Sequence, residues 1–335
     1  MVQEVGIMAN DIGIDLGTRN SRAYSNERGL ILVEPTVVVY DRNQDRIRSI
    51  GEDARSMTGQ LLGDLELIWP IRQGTITDYI VLEKLLRILI SRALGRHAFR
   101  KPRITICVPA GITDIGRRAL EEAAYQSGAR KVLFVRAPLA AAIGAGIDIA
   151  RPNGNLVIDV GAGAAEAAVL SMTGITVSGT ARVGGFAFNQ EIISYVRSNY
   201  SLFISDEIAE MIKIRIGSAC TERNPRTMEV KGRNVNTGLT KIITLTSDDV
   251  SEAVKGATGQ IVELAHQILE KTPPELAADI IERGIILTGG GALLSGLDRL
   301  IELKTGVSAM TAPNASSAVA VGTGRYAAFM DSRFV

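Results

Sequence analysis

Short apolar runs that end in small-residue turns recur along the chain. The first extends from Ile12 to Leu16 and is followed by Gly17-Thr18-Arg19-Asn20. A similar run, Asn155–Val160, leads into Gly161-Ala162-Gly163-Ala164-Ala165 and a further apolar stretch, Ala167–Ser171. Short apolar segments bounded by glycine turns are typical of buried strands. Both places therefore predict a strand that enters a tight turn.

Between these strands the apolar positions change to a helical period. In Thr77–Leu94 the apolar residues recur about every 3.6 positions, with charged residues between them, which predicts an amphipathic helix. Asp114–Gln126 predicts a second helix, and Ile104–Val108 and Val132–Val135 predict strands. Strands that alternate with helices favour an α/β fold with a largely parallel sheet.

Both turn-bearing strands carry an aspartate near their ends. Asp15 and Asp159 each stand two residues before a glycine, and they are 159 − 15 = 144 residues apart. This spacing predicts an internal duplication into two α/β halves, 1–150 and 151–335, that face each other across a cleft. Chance similarity of two strand–turn segments is the alternative. Irregular, more polar stretches indicate one small inserted subdomain in each half, at about 34–72 and about 182–248.

Composition narrows the class of protein. Hydrophobic residues make up 46% of the chain and charged residues 22%, and 37 basic against 36 acidic side chains leave a net charge of +1. These values are typical of a folded globular protein and indicate no basic surface for nucleic acid. Two cysteines exclude a disulfide framework. The longest apolar stretch, Leu139–Ile147, is too short to cross a bilayer, and the first eight residues lack the basic region of a signal peptide, so we expect a soluble cytoplasmic protein.

A third glycine cluster indicates a ligand site. Ile285–Thr288 predicts a strand, and Gly289-Gly290-Gly291-Ala292 predicts a turn that leads into a helix. Glycines let backbone N–H groups approach a phosphate closely. Asp15 and Asp159 are suited to hold a hydrated Mg²⁺ beside such a phosphate. The alternative is that both aspartates only cap their turns.

The three glycine-bearing segments have specific sequences. They are DIGIDLGTRN at Asp11–Asn20, NLVIDVGAG at Asn155–Gly163 and LTGGGALL at Leu287–Leu294. They resemble the two phosphate motifs and the adenosine motif of the actin-like ATPase superfamily, and the chain looks like the MreB-like members of that group. Further matching stretches follow in family order: Pro70–Tyr79, Cys107–Thr113, Pro138–Gly146 and Pro273–Arg283.

The resemblance implies both a fold and a cellular role. The implied fold is the actin-like ATPase fold of four subdomains, with ATP (or GTP) and Mg²⁺ in a cleft between the halves. The implied partners are further copies of the chain in head-to-tail filaments, the inner face of the cytoplasmic membrane, and the cell-wall elongation machinery. The implied role is the maintenance of rod cell shape.

The resemblance also assigns residues, position by position. Nucleotide binding falls to Gly17, Thr18, Arg19, Asn20, Gly161, Ala162, Gly163, Glu210, Lys213, Gly289, Gly290, Gly291 and Ala292. Asp15 and Asp159 take the metal positions, acting through water. Glu210 and Lys213 lie on the predicted helix Asp206–Gly217, with Ser205 as its N-cap. Their i,i+3 spacing alone would also indicate a solvent-facing ion pair.

Departures from the family pattern fall where hydrolysis would take place. The family has a glutamate just before the proline that follows strand Val132–Val135, whereas this chain has Arg136-Ala137-Pro138. Neither arginine nor alanine acts as a base in proteins. Alanines also replace a glycine and two threonines of the second phosphate loop: Ala162, Ala164 and Ala165. We expect Ala162 to crowd the turn, we expect hydrolysis to be weak or absent, and we assign no catalytic residue.

The loop Gly95–Pro102 is the candidate membrane contact. It carries Ala98 and Phe99, flanked by Arg96, Arg100 and Lys101, where the family has a small apolar membrane-inserting loop. An exposed aromatic ring beside cations suits an anionic lipid surface. The alternative is a loop whose phenyl ring packs into the core. The apolar residues Val2, Val5, Ile7 and Met8 suggest a second anchor.

Two other functions fit the same fold class. One is a metabolic kinase of the sugar or acetate kinase type, which would need a catalytic carboxylate in a polar pocket. The other is a pseudo-ATPase scaffold that recruits partners without polymerising. Fold alone does not separate them from a filament subunit.

Overall fold

The computed structural model describes residues 11–59, 61, 63–95, 101–108 and 112–332. The chain forms two compact units: the first comprises Met1–Ile149 together with Ser317–Val335, and the second comprises Ala150–Ser316. Within the residues described, no helix is long and apolar enough to cross a membrane.

The first unit is built on a mixed five-stranded sheet. Its strands are β1 (Ile12–Leu16), β2 (Asn20–Ser25), β3 (Gly29–Pro35), β4 (Val38–Asp41), β5 (Arg46–Ile50), β6 (Leu65–Ile68), β7 (Ile71–Arg72), β8 (Thr75–Ile76), β9 (Arg103–Val108) and β10 (Lys131–Arg136). Its first four helices are α1 (Gly51–Ser56), α2 (Tyr79–Leu94), α3 (Asp114–Gln126) and α4 (Ala137–Gly144). The main sheet has the order β10-β9-β1-β2-β3, while β5-β4-β6 and β7-β8 form small separate sheets.

The second unit contains the following elements. Its strands are β11 (Asn155–Val160), β12 (Ala165–Ser171), β13 (Gly174–Ala181), β14 (Leu202–Phe203), β15 (Thr227–Asn234), β16 (Thr240–Thr246), β17 (Ile285–Thr288) and β18 (Ala309–Thr311). Its helices are α5 (Gly185–Tyr200), α6 (Asp206–Ile216), α7 (Ser247–Ala253), α8 (Lys255–Lys271), α9 (Pro274–Arg283) and α10 (Leu297–Thr305). The main sheet has the order β13-β12-β11-β17-β18, and β14-β15-β16 form a smaller sheet inside the region predicted as an insertion.

The two main sheets repeat one topology. In the first, β1 pairs parallel with β9 and antiparallel with β2; in the second, β11 pairs parallel with β17 and antiparallel with β12. The predicted duplication of α/β halves is therefore confirmed. The expectation of a largely parallel sheet is wrong, because the strand that follows each glycine turn folds back as a hairpin, and a short turn permits only antiparallel pairing.

Capping side chains set the ends of the predicted helices. Helix α2 begins at Tyr79, two residues later than predicted, because the Asp78 carboxylate accepts a hydrogen bond of 3.0 Å from Val81 N and caps the helix. Helix α3 has the predicted bounds and is capped by Thr113. Its partner α2 buries one apolar face against the sheet: Val81, Leu82, Leu85, Leu86, Leu89 and Ile90. The 3.6-residue period placed Leu85 and Leu89 on this face correctly, whereas Ile80, which the same period included, is 62% exposed.

The C-terminal helix α11 (Ala318–Asp331) belongs to the first unit, so the second half does not extend to residue 335 as the sequence predicted. It packs against α4 at a very close approach. A Cβ atom on Gly322 would lie 1.7 Å from the Ala140 carbonyl oxygen, and one on Gly144 would lie 1.8 Å from the Ala318 carbonyl oxygen. Only glycine allows the two backbones to approach this closely, and sequence periodicity does not reveal which helix is the partner.

Candidate functional site

The first glycine turn joins β1 to β2 and is fixed by two threonines. Thr36 Oγ1 donates a hydrogen bond of 2.7 Å to the Gly17 carbonyl, and Gly74 N donates one of 3.1 Å to Thr18 Oγ1. Residues 17–20 are half-buried, and Asp15 is buried at the end of β1. The turn predicted from Gly17-Thr18-Arg19-Asn20 is thus held from two other segments of the first unit.

Asp15 has a charged neighbour that the sequence analysis missed. The antiparallel register places Arg22 directly opposite Asp15, and Arg22 Nη1 lies 3.6 Å from Asp15 Oδ2. The hairpin itself was the available signal, since a tight turn at residues 17–20 sets the two positions opposite each other. The carboxylate at the first predicted metal position is therefore paired with a guanidinium.

The second glycine loop connects β11 to β12. Gly161 N donates to the Ala164 carbonyl (2.8 Å), and the start of helix α5 holds the loop, because Gly185 N donates to the Gly161 carbonyl (3.0 Å) and Phe186 N to the Ala162 carbonyl (2.8 Å). Ala162 is not among the residues with positive φ. The turn therefore does not require at Ala162 the positive φ that favours glycine.

The third turn, Gly289-Gly290-Gly291, lies beside the second loop. Gly289 has a φ of +86°, and a Cβ atom there would lie 2.3 Å from the Val160 carbonyl oxygen, so this position requires glycine. Thr288 Oγ1 donates a hydrogen bond of 2.9 Å to Asp159 Oδ1. The turn leads into a single 3₁₀ turn at Gly291–Leu293, and the regular helix begins only at Leu297.

Glu210 and Lys213 form a partly buried pair in the second unit. Lys213 Nζ lies 2.8 Å from Glu210 Oε2, and their side chains are 12% and 18% exposed, respectively. Lys213 Nζ also donates to the Gly185 carbonyl (2.9 Å) at the start of α5. The alternative of a solvent-facing ion pair is therefore wrong, and the pair connects α6 to the segment that holds the second loop.

Asn189 completes this cluster and was not singled out from the sequence. Its Nδ2 donates a hydrogen bond of 2.8 Å to Glu210 Oε2, so the carboxylate is fixed from two sides. The side chain is buried, and its Oδ1 has no hydrogen-bond partner within the described part of the chain. Most buried acceptors in folded proteins have a partner, so this atom is an exception.

Comparison with known proteins identifies the family. The family model described as MreB/Mbl protein matches residues 9–333. The chain belongs to the MreB/Mbl family.

Individual relatives match over nearly their whole length. The chain is 42% identical over 318 residues to the cell shape-determining protein Mbl of Bacillus cereus, covering 95% of this chain and 96% of that protein. It is 41% identical over 333 residues to the cell shape-determining protein MreB of Escherichia coli, with coverage of 97% and 95%.

Solved structures agree on the actin-like ATPase fold. MreB5 of Spiroplasma citri bound to ADP superposes with a TM-score of 0.88 and 32% identity, covering 98% of this chain and 99% of that one. The same protein bound to AMPPNP gives a TM-score of 0.86. A double helical filament of MamK gives 0.75 at 20% identity, a similarity that shows the fold alone.

The junction of β10 and α4 carries the residues at which the sequence analysis expects a departure from the family pattern. Arg136 ends β10, and Ala137 is the first residue of α4, with Pro138 next. Both Arg136 and Ala137 are half-buried. No carboxylate is placed at this junction by residues 136–138, so the sequence-based expectation about hydrolysis still stands as a prediction.

Within its described residues, this MreB/Mbl-family chain does not group its metal-binding side chains into a ready ion site. Among residues 11–59, 61, 63–95, 101–108 and 112–332, no group of three or more His, Cys, Asp or Glu side chains is placed to hold an ion. Asp15 is paired with Arg22, and Asp159 is bonded to Thr288. The candidate membrane residues Ala98 and Phe99 lie outside the described residues.

Proposed function

We propose that this chain is a nucleotide-binding cytoskeletal subunit that assembles into filaments and organises cell-wall synthesis and rod cell shape. Support comes from membership of the MreB/Mbl family and from relatives at 41–42% identity that are named cell shape-determining proteins. Repeated head-to-tail contacts that do not close on themselves generate an open filament. The position proposed for these filaments is the inner face of the cytoplasmic membrane.

Nucleotide binding rests on one observation above all: the cluster of backbone turns and paired side chains in the second unit. The loop 161–163 and the turn 289–292 would bind phosphates through backbone N–H groups other than those of Gly161 and Gly289, which donate to the Ala164 and Ala315 carbonyls. Glu210 and Lys213 would contact the adenosine, and Asn189 would hold the Glu210 carboxylate in place for this contact. The same set of residues would accept either ATP or GTP as the nucleotide. In the first unit, residues 17–20 would contact the phosphates.

The residues fit Mg²⁺ less well than they fit the nucleotide. Asp159 accepts a hydrogen bond from Thr288 and carries the kind of oxygen ligand that suits hydrated Mg²⁺. Asp15 does not fit the same role, because a guanidinium already lies against its carboxylate. No step of the proposed function is assigned to the metal.

Hydrolysis is proposed to be slow. A water molecule that attacks the terminal phosphate needs a group to orient it and accept its proton, and such a group contributes roughly 10²- to 10⁴-fold. The residue at the family's glutamate position is Ala137, and its neighbour Arg136 carries no base. Binding would therefore persist while turnover is low.

Sedimentation with and without nucleotide tests this function. We expect the full chain to pellet with ATP at concentrations on the order of tens of micromolar, where weak contacts are populated. A chain that stays monomeric in every nucleotide state would contradict the filament proposal. Binding without assembly would favour the scaffold, and phosphoryl transfer from ATP to a sugar or to acetate would favour the kinase.

A matched pair of variants separates nucleotide binding from general effects. Lys213→Ala removes the cation that joins Glu210 to Gly185 and is expected to weaken ATP binding by about tenfold or more. Lys255→Ala is the control, because Lys255 makes the same i,i+3 pairing with Glu252 but is 75% exposed on another helix. Equal affinities for the two variants would count against the proposed site.

A further inference from the structure

The hairpin β1–β2 brings together two opposite charges at the predicted metal position of the first unit. Arg22 Nη1 lies 3.6 Å from Asp15 Oδ2, and the side chains are 21% and 10% exposed, respectively. This separation is too long for a hydrogen bond and is short enough for a strong charge interaction. Arg22 also lies opposite Val33 of β3, so its strand is paired on both sides and its backbone position is fixed.

The equivalent position in the second unit carries the opposite charge. Asp159 pairs with Glu166 across β11–β12, and the spacing is identical in the two units, because 22 − 15 = 7 and 166 − 159 = 7. Directly opposed residues of an antiparallel pair lie close together on one face of the sheet. Thus the first unit opposes its aspartate with a cation, whereas the second opposes its aspartate with another carboxylate.

A largely buried carboxylate is costly unless a positive charge lies near it. In a site that relies on Mg²⁺, the ion would provide that charge only when the nucleotide is bound. At Asp15 the charge is part of the chain. A divalent ion that approached Asp15 would also be repelled by the guanidinium, and the gain from binding it there would be smaller.

Guanidinium groups are also good partners for phosphate. They present several donors in a plane and form charge-assisted hydrogen bonds with phosphate oxygens. Arg22 is two residues beyond Asn20, the last residue of the turn assigned to phosphate binding. Both residues belong to β2 of the same hairpin. A positive side chain is therefore built into the segment that would receive the phosphates.

We propose that Arg22 replaces part of the electrostatic role of the divalent cation at Asp15, so that this chain binds nucleoside triphosphates with little dependence on Mg²⁺. The inference rests on the proposed nucleotide binding and adds a property that this function alone does not require. Its chemistry is specific to one side chain, which makes it testable by a single substitution.

The test compares the affinity of the full chain for ATP in excess Mg²⁺ and in EDTA, by isothermal titration calorimetry. For the wild type we expect the dissociation constants to agree within about threefold, and for Arg22→Leu we expect binding in EDTA to be weaker than in Mg²⁺ by about tenfold or more. Arg22→Lys keeps the charge without the planar donors and should retain part of the independence from the metal.

Arg48→Leu is the matched control. Arg48 also pairs with a buried aspartate in the first unit, at 2.6 Å from Asp41 Oδ2, but it lies in the small sheet β5-β4-β6. This variant should keep the wild-type response to EDTA. Circular dichroism verifies that each variant is folded, and Arg22→Gln, which also removes the charge, replaces Arg22→Leu in the comparison if the leucine variant does not fold.

The results of this experiment distinguish a failure of the proposed Arg22 role from a failure of the proposed nucleotide binding. Wild-type binding that falls about tenfold or more in EDTA would overturn the role of Arg22 while leaving nucleotide binding intact. The role of Arg22 would also be overturned if the wild type and Arg22→Leu both bound ATP equally well in EDTA and in Mg²⁺. Absence of ATP binding under both conditions would overturn the proposed nucleotide function, and the inference with it.

Discussion

The Thr288 hydroxyl donates a hydrogen bond of 2.9 Å to Asp159 Oδ1 across the parallel strands β17 and β11. Thr288 is fully buried, and Asp159 is 9% exposed. This contact joins the end of the second phosphate strand to the start of the Gly289–Gly291 turn. The two backbone elements of the proposed nucleotide site are thereby fixed to each other before any ligand binds.

Thr288→Val removes the donor while keeping the side-chain shape. We expect the free energy of unfolding to fall by about 1–3 kcal/mol, since a buried carboxylate oxygen loses a partner. The unfolding transition of the second unit in urea measures this loss of stability. Thr323→Val is the control: that hydroxyl donates to the Val319 carbonyl inside helix α11, and a helical carbonyl keeps its backbone bond. A loss as large at Thr323 would contradict the special role of Thr288.

Gly322→Ala tests the close approach of α11 to α4. The added methyl group would lie 1.7 Å from the Ala140 carbonyl oxygen, so the helices must separate, at a cost of about 1–3 kcal/mol or more. Thermal unfolding provides the measurement. Gly259→Ala in α8 is the counterpart, because nothing lies within 4 Å of its Cβ position, and it should stabilise the protein by about 0.5–1 kcal/mol. Equal melting temperatures for the two variants would contradict this packing.

Ala137→Glu restores a carboxylate at the start of α4. We expect wild-type phosphate release to be barely measurable and the variant to gain roughly 10- to 100-fold, less than a fully positioned base provides. ATP affinity, measured alongside, should stay within about threefold. Ala137→Gln is the control, since it matches the size without the base. Wild-type turnover at the rate of hydrolysing relatives would show that the missing carboxylate is not required.

Asp249 provides a pH-dependent contribution to stability. Burial raises the pKa of this carboxyl, but hydrogen bonds from Thr246, Tyr195 and Tyr200 outweigh burial and bring the pKa below its usual 3.8. The contribution is therefore present above about pH 3.8 and is lost as the pH falls through the folded-state value. Asp249→Asn should cost about 1–2 kcal/mol at pH 7, and the difference from the wild type should shrink below pH 3.8.

Denaturant unfolding at pH 7 and pH 3 checks the Asp249 prediction. Glu252→Gln on the same helix α7 is the control, because Glu252 is exposed and its pair with Lys255 spans 3.5 Å; it should change stability by about 0.5 kcal/mol or less. A difference between Asp249→Asn and the wild type that stays constant with pH would show that the carboxyl does not titrate with folding.

Phe99→Ser tests the proposed membrane loop. The aromatic ring lies between Arg96 and Arg100 in sequence, and each nearby cation contributes about 1 kcal/mol at an anionic surface. Sedimentation with phosphatidylserine-containing liposomes should fall for this variant. Phe203→Ser is the control, since Phe203 is a 54% exposed aromatic residue in the second unit. Unchanged sedimentation of Phe99→Ser would remove the loop from the proposal.

Short sequence patterns predicted the individual helices and strands well. They predicted less well which helices and strands pack against each other. The strand Ile12–Leu16 and the helix Asp114–Gln126 have the predicted bounds. These bounds were predictable because the spacing of apolar residues and the capping residues lie within the same short segment of sequence. The placement of α11 on the first unit depends on glycines 178 residues apart in the chain, 322 − 144 = 178. Such a contact has no local pattern.

The site shows the same division. The glycine turns were predictable because a turn of small residues has a local signature. The partial burial of Glu210 and Lys213 was not, since it arises from the carbonyl of Gly185 and the amide of Asn189 on another helix. Arg22 was missed for a different reason: its meaning depends on strand register rather than on residue type.

The return of α11 to the first unit has a consequence for the order of folding. The second unit, Ala150–Ser316, is continuous in the chain, whereas the first is interrupted by it. The second unit can therefore reach its native state by itself, but the first must hold an open surface on β1, β2 and α4 until its last helix docks. Closing so long a loop slows the final step. During that interval the uncovered apolar surface of the sheet is open to aggregation and to chaperones.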